Sequence, residues 1–131
     1  MQQPSNLKKK AFYAVNTLTS LSFLLAGIFK LMAHEQMVTV FTHFELPLAL
    51  MYLVGVAEVL GAIALWIPRL TVLSALGLTL AMAGAFAFHF SYDPFEKTIP
   101  AIMLIACLVF IIKVRIKENK DFIAQYINAN Q

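Results

Sequence analysis

Six polar residues interrupt long apolar runs in this 131-residue chain and have the types to do chemistry: Asn16, Ser20, Lys30, Glu58, Thr79 and His89. Glu58 is the most demanding. It is the one charge in "LVGVAEVLGAIALW", Leu53 to Trp66, and an acid at the middle of a bilayer costs about 2.5–3.5 kcal/mol on insertion scales. Such a group serves either as a proton acceptor or ligand contact, or as a neutral carboxyl donating to Asn16 or Ser20 to hold helices together. Lys30 suits an anionic head group or a redox ligand, or it snorkels to the surface. His89 has the chemistry of a proton shuttle or an axial haem ligand. A bis-histidine haem needs a second histidine at the same depth, and only His34, near the end of its run, is available; haem is therefore disfavoured. His34, Glu35, His43 and Glu45 match no metal-ligand spacing, so no metal site is expected. The single Cys107 excludes a dithiol and an internal disulfide framework.

The elements that must position these residues are long and apolar. The chain is 60% apolar and 13% charged, against about 45–50% and about 25% for soluble domains, with mean hydropathy +0.77. Four runs have the length of membrane spans, at residues 11–32, 46–67, 70–92 and 98–113. A basic lead precedes them at 1–10 and a polar tail follows at 114–131, where Phe122, Ile123, Tyr126 and Ile127 recur at helical spacing and suit the interface. Pro47 and Pro100 fit first helical turns, Thr98 fits an N-cap, and Pro68 with Arg69 stops the second span. The expected fold is all-α, a transmembrane four-helix bundle. Lys8, Lys9, Lys10, Arg69, Lys113, Arg115, Lys117 and Lys120 fall on one side, and the other side carries only Lys97 among its acids. The positive-inside rule then puts both termini in the cytoplasm. The net charge of +3 is small and tied to topology, so no nucleic-acid partner is expected.

Depth and face sharpen the expectation. At about 1.5 Å per residue, Glu58 falls near the midplane and Lys30 roughly 13 Å outward of the middle of the first span, so the two are a poor depth match. Asn16, Thr19, Ser20 and Thr79 match Glu58 better, and Lys30 with His89 is expected at the outer mouth of a site. Met51, Gly55, Glu58, Ala62 and Leu65 share one face of the second span; Ser74, Gly77, Ala81, Gly84 and Ala85 share one face of the third. Small residues at this spacing allow close helix packing in lipid. Tyr52, Trp66 and Tyr92 are expected in the interfacial aromatic belts.

Three stretches together, "FLLAGIFKL", "GVAEVLGAIALWIPRLT" and "AMAGAFAFHF", resemble the DoxX and DoxX-like family of small four-helix membrane proteins, over about Leu18 to Phe110. The resemblance implies a compact four-helix bundle with notable positions at Gly27, Lys30, Glu58 and His89. It implies association with thiosulfate:quinone or quinol-linked oxidation. A eukaryotic relative in the family acts instead as an assembly factor for neurotransmitter receptors. This sequence has no haem-ligand pair, dinucleotide fingerprint or redox dithiol, so the expected role is at most an oxidoreductase-associated subunit. The leading expectation is an accessory subunit of a quinone-linked system in a bacterial inner membrane. It would bind a small lipophilic ligand, a quinone being the candidate cofactor, through Lys30, Glu58 and His89. The alternative is a non-enzymatic assembly factor that docks to larger membrane proteins or to further copies of itself.

Overall fold

The structure is a computed structural model that describes residues 6–131; residues 1–5 of the basic lead lie outside the described residues. Five α-helices follow in order: α1 (Asn6–Leu31), α2 (Glu35–His43), α3 (Leu48–Ala64), α4 (Thr71–Tyr92) and α5 (Ile99–Ala129), with a 3-10 turn at Phe95–Thr98 before α5. No strand occurs among the described residues. Asn6–Leu31, Thr71–Tyr92 and Phe95–Ala129 are long and apolar enough to cross a membrane. α3 is apolar but has 17 residues, about 26 Å at the helical rise.

α1 packs along α3, α3 along α4, α4 along α5 and α5 back on α1. The core draws on all four: Phe12 and Phe23 from α1, Ala62 and the adjoining Leu65 from α3, Ala75 and Leu78 from α4, Leu108 and Ile111 from α5. The outer surface is a shell of large apolar side chains, with Leu18 67%, Leu73 70% and Leu80 76% exposed. Without a hydrophobic drive between helices in lipid, such residues belong outside and small or polar residues belong at the contacts.

The connections show how the backbone polar groups are satisfied. α1 ends with Ala33 at φ 50°, where the His34 amide donates to the Phe29 carbonyl at 2.9 Å and the Ala33 amide to the Lys30 carbonyl at 3.1 Å. α2 ends in the same way, with Glu45 at φ 55° and the Leu46 amide donating to the Phe41 carbonyl at 2.8 Å. Both are Schellman closures, which redirect the chain while using up the last carbonyls. Pro47 is the N-cap of α3, just outside its first turn. Pro100 lies inside the first turn of α5, as its missing N–H permits. Thr98 does not cap α5 with its side chain; its hydroxyl donates to the Phe95 carbonyl at 2.6 Å and closes the 3-10 turn instead.

Two expected boundaries differ. The second helix is shorter than 46–67, because the chain after Ala64 turns at Ser/Thr-assisted carbonyls described below. The fourth does not stop near Lys113: α5 runs on through Arg115 and Lys120 to Ala129 without a break. Charged side chains end an apolar run but not a helix, since Lys, Arg, Glu and Gln are all good helix formers. Residues 114–129 therefore continue the last helix, and Phe122, Ile123, Tyr126 and Ile127 on it are exposed.

Candidate functional site

The site is assembled at the α1–α3 contact. The two helices run antiparallel, since Asn16 meets Leu65, Ser20 meets Ala62 and Lys30 reaches Glu58. Gly27 and Gly55 face one another there. A Cβ on Gly27 would lie 2.8 Å from the Gly55 carbonyl oxygen and 3.0 Å from the Val59 nitrogen, and one on Gly55 would lie 3.1 Å from the Gly27 carbonyl oxygen. Both obstacles are backbone, which no rotamer change can move aside. The glycine pair sets the close approach that lets a side chain of α1 reach the inner face of α3.

That close approach corrects the expected depth mismatch: the Lys30 ammonium donates to Glu58 Oε2 at 2.8 Å. The pair is enclosed, with side-chain exposures of 12% for Lys30 and 1% for Glu58. Gly27 lies level with the stretch between Gly55 and Val59, so α1 is set about six residues, more than a turn and a half, along α3 relative to a centre-to-centre alignment of the expected spans. The remaining offset is roughly four residues, or about 6 Å of rise, and the long lysine stem spans it while its charge turns inward. Lys30 thus neither snorkels outward nor lines a mouth. Buried charges need a partner, and each supplies the other's.

The polar residues expected to meet Glu58 go elsewhere. Ser20 donates to the Ala62 carbonyl at 2.8 Å and accepts from Trp66 Nε1 at 3.0 Å, so Trp66 satisfies its N–H inside the protein rather than at a lipid head group. Asn16 Nδ2 and Thr71 Oγ1 both donate to the Leu65 carbonyl, at 3.4 and 3.2 Å. These contacts serve carbonyls left free where α3 ends, a need that is strict in lipid. Thr79 donates to the Ala75 carbonyl of its own helix at 2.7 Å. The hydroxyl that crosses from α4 to α3 is that of Ser74, which donates to the Gly61 carbonyl at 2.6 Å.

Of the small-residue face of α4, only its first part packs against α3. Gly77 and Gly84 are exposed, and a Cβ on either would meet nothing within 4 Å. The gap at Gly77 belongs to a cavity of about 280 Å³ between α3 and α4, walled by Ala57, Gly61, Leu73, Ser74 and Leu78 among others, with Glu58 in its wall. Leu60 and Leu73 at its edge are 61% and 70% exposed, so the groove opens on the apolar outer surface.

His89 is not brought to this ion pair. Its Nδ1 lies 2.7 Å from Asp93 Oδ2, one turn further along. Asp93 gathers three cationic or potentially cationic groups: His89, His43 Nε2 at 3.4 Å and Lys97 Nζ at 3.5 Å. The hydrogen bond from His89 is the main reason its carboxyl is held below the ordinary 3.8; partial burial opposes this, and the charges of Lys97 and His89 assist. Phe44 fills the space beside the cluster, against Phe88, His89 and Tyr92. The cluster fastens α2 to the end of α4. Asp93 was readable in the sequence only as a loop acid, although its i,i+4 spacing from His89 and from Lys97 was a usable signal.

At the opposite end, Arg115 lies over the Phe12 ring at 4.7 Å and pairs with Glu118 at 2.7 Å. This residue, expected in the tail, pins α5 to α1. Among the described residues no group of three or more His, Cys, Asp or Glu side chains is placed to hold a metal ion.

No curated protein and no solved structure matches the chain significantly. The model of the DoxX-like family matches residues 14–111, a stretch that contains the Gly27–Gly55 contact, the Lys30–Glu58 pair, the groove and the Asp93 cluster. This integral membrane protein belongs to the DoxX-like family.

Proposed function

We propose that the protein holds a small lipophilic molecule beside Glu58 and serves as an accessory subunit of a quinone-linked redox system in a bacterial plasma membrane. In this reading α1, α3, α4 and α5 all cross the bilayer as a four-helix bundle, with both termini in the cytoplasm. The observation that carries it is the placement of an ion-paired carboxylate in the wall of an apolar groove that opens toward lipid. A purely architectural ion pair needs no opening beside it. Ligand pockets are mostly apolar with a few convergent polar groups, and an ionisable residue within a membrane segment is a functional candidate by default. The protein's own side chains offer no electron carrier, which fits a binding or accessory role beside a redox partner.

The test is a titration of the protein in lipid nanodiscs with a short-chain quinone in its oxidised and its reduced form. Saturable binding of at least one form is expected, and Gly77→Phe should abolish it by filling the groove from a position where added atoms meet open space. Binding by neither form, or binding untouched by Gly77→Phe, would overturn the reading.

The second reading, a non-enzymatic assembly factor, draws on the extension of α5, where Phe122, Ile123, Tyr126 and Ile127 are exposed. Co-purification from native membranes separates the two: a redox enzyme as stable partner supports the first, an unrelated membrane client the second.

A further inference from the structure

We propose that Asn16 Oδ1 and Thr19 Oγ1 together bind one water molecule inside the bundle, at a site independent of the groove beside Glu58 and of whatever that groove takes. Both residues lie on the inner face of α1, and each is 1% exposed. Among the described residues, three buried side-chain polar atoms have no hydrogen-bond partner in the protein: Asn16 Oδ1, Thr19 Oγ1 and Arg115 Nε. Arg115 Nε belongs to α5, in the side chain that covers Phe12, and is no part of this site. The other two are neighbours, three residues apart on one helix. A buried polar atom without a partner is costly, and the cost is least escapable in a membrane, where bulk water is remote.

The orientation of Asn16 is fixed by α3. Its amide faces the Leu65 carbonyl at 3.4 Å, and only the nitrogen end carries hydrogens to give it. Exchanging the two ends would set oxygen against oxygen, so Oδ1 is an acceptor that points away from that carbonyl. Thr19 departs from the other threonines of the α-helices. Thr17, Thr39, Thr42, Thr71 and Thr79 each donate to the carbonyl four residues back, which settles a hydroxyl on a helix without outside help. Thr19 makes no such bond to the Val15 carbonyl.

Spacing and chemistry then select the occupant. Residues three apart on a helix have Cβ atoms about 5–6 Å apart. One molecule bonded to both side chains spans about 5.5 Å, at about 2.8 Å for each bond. Oδ1 only accepts, whereas the hydroxyl donates and accepts, so the occupant must carry a donor. A metal ion has none, and its charge would face two neutral atoms with no counter-charge. An anion would meet the acceptor Oδ1. Water fits both: it donates one hydrogen to Oδ1 and accepts that of Thr19, and two bonds to protein are within the range that holds an internal water.

The experiment is a crystal structure of the full chain and of Thr19→Val, at a resolution that shows ordered water. Valine keeps the shape of the side chain and removes the hydroxyl. In the wild type one density peak is expected within about 3.2 Å of both Asn16 Oδ1 and Thr19 Oγ1, and it should be lost in Thr19→Val. Solid-state NMR in bilayers reads the same site without crystals: polarisation transfer from water to the Asn16 side-chain amide should fall several-fold in Thr19→Val. No peak, a peak bonded to only one of the two atoms, or a Thr19 hydroxyl turned back onto the Val15 carbonyl would overturn the proposal. So would a peak that persists in Thr19→Val, or equal polarisation transfer in the two proteins.

Discussion

At the scale of single residues, the Lys30–Glu58 contact is the most consequential one in the protein. A charge pair enclosed this fully is poor evidence for net stability, because desolvation offsets much of the attraction. Removing one partner is a different matter, since it strands the other in an apolar surround. Glu58→Leu or Lys30→Leu alone should destabilise the fold by about 3–5 kcal/mol, whereas the double substitution should recover most of that loss. Unfolding in detergent, followed for the wild type, both single variants and the double, measures the cycle. If the double variant is no more stable than the worse single variant, the two side chains are not paired in the way described. The residue types at both positions were plain in the sequence, and so was the need of Glu58 for a partner. The partner itself was not. A register error of one turn moves a side chain by about 5.4 Å, enough to hide a 2.8 Å contact.

At the scale of elements, the Asp93 cluster adds a side-chain link between the end of α2, which packs on α3 and α1, and the end of α4. His43 comes from α2, His89 and Asp93 from the end of α4, and Lys97 from the 3-10 turn, so one carboxylate ties three segments. Because its bonds lower the Asp93 pKa below 3.8, the stabilisation it provides is present above the ordinary carboxylate range and is lost as pH falls below about 4. Hydrogen exchange on α2 should therefore quicken below that pH while the centres of α3 and α4 stay protected. In Asp93→Asn the α2 amides should already exchange faster at neutral pH, and their acid step should shrink. An unchanged acid step in that variant would assign the transition to another group. The helices themselves were largely legible: apolar runs gave α1, α3 and α4 to within a few residues. The continuation of α5 past Lys113 was not, because hydropathy reports the end of the apolar stretch while helix propensity continues through the charged residues.

At the scale of the whole molecule, an all-helical chain has an apolar exterior and basic residues gathered where α1 begins, between α3 and α4, and along the second half of α5. The proposed orientation makes a direct prediction. In a Cys107→Ala background, single cysteines placed at Asn6 and Asn130 should react with a membrane-impermeant maleimide only after the cells are opened, whereas one at Glu96 should react in intact cells. Labelling of Asn6 in intact cells would reverse the assignment. By itself the sequence determined the membrane class and most helix positions, because hydropathy and proline placement are properties of local segments, and the family, because the motifs around Gly27, Glu58 and His89 carry its resemblance. It also marked Glu58 as the residue needing an explanation. Only the tertiary structure decided the answer. The glycine contact at Gly27 and Gly55 brings two helix backbones within van der Waals reach and fixes their register, which gives Glu58 to Lys30; the packing of α4 separately gives His89 to Asp93 and leaves a groove at Gly77. Register and spacing between helices depend on the fit of whole surfaces, and no single run of residues carries that information.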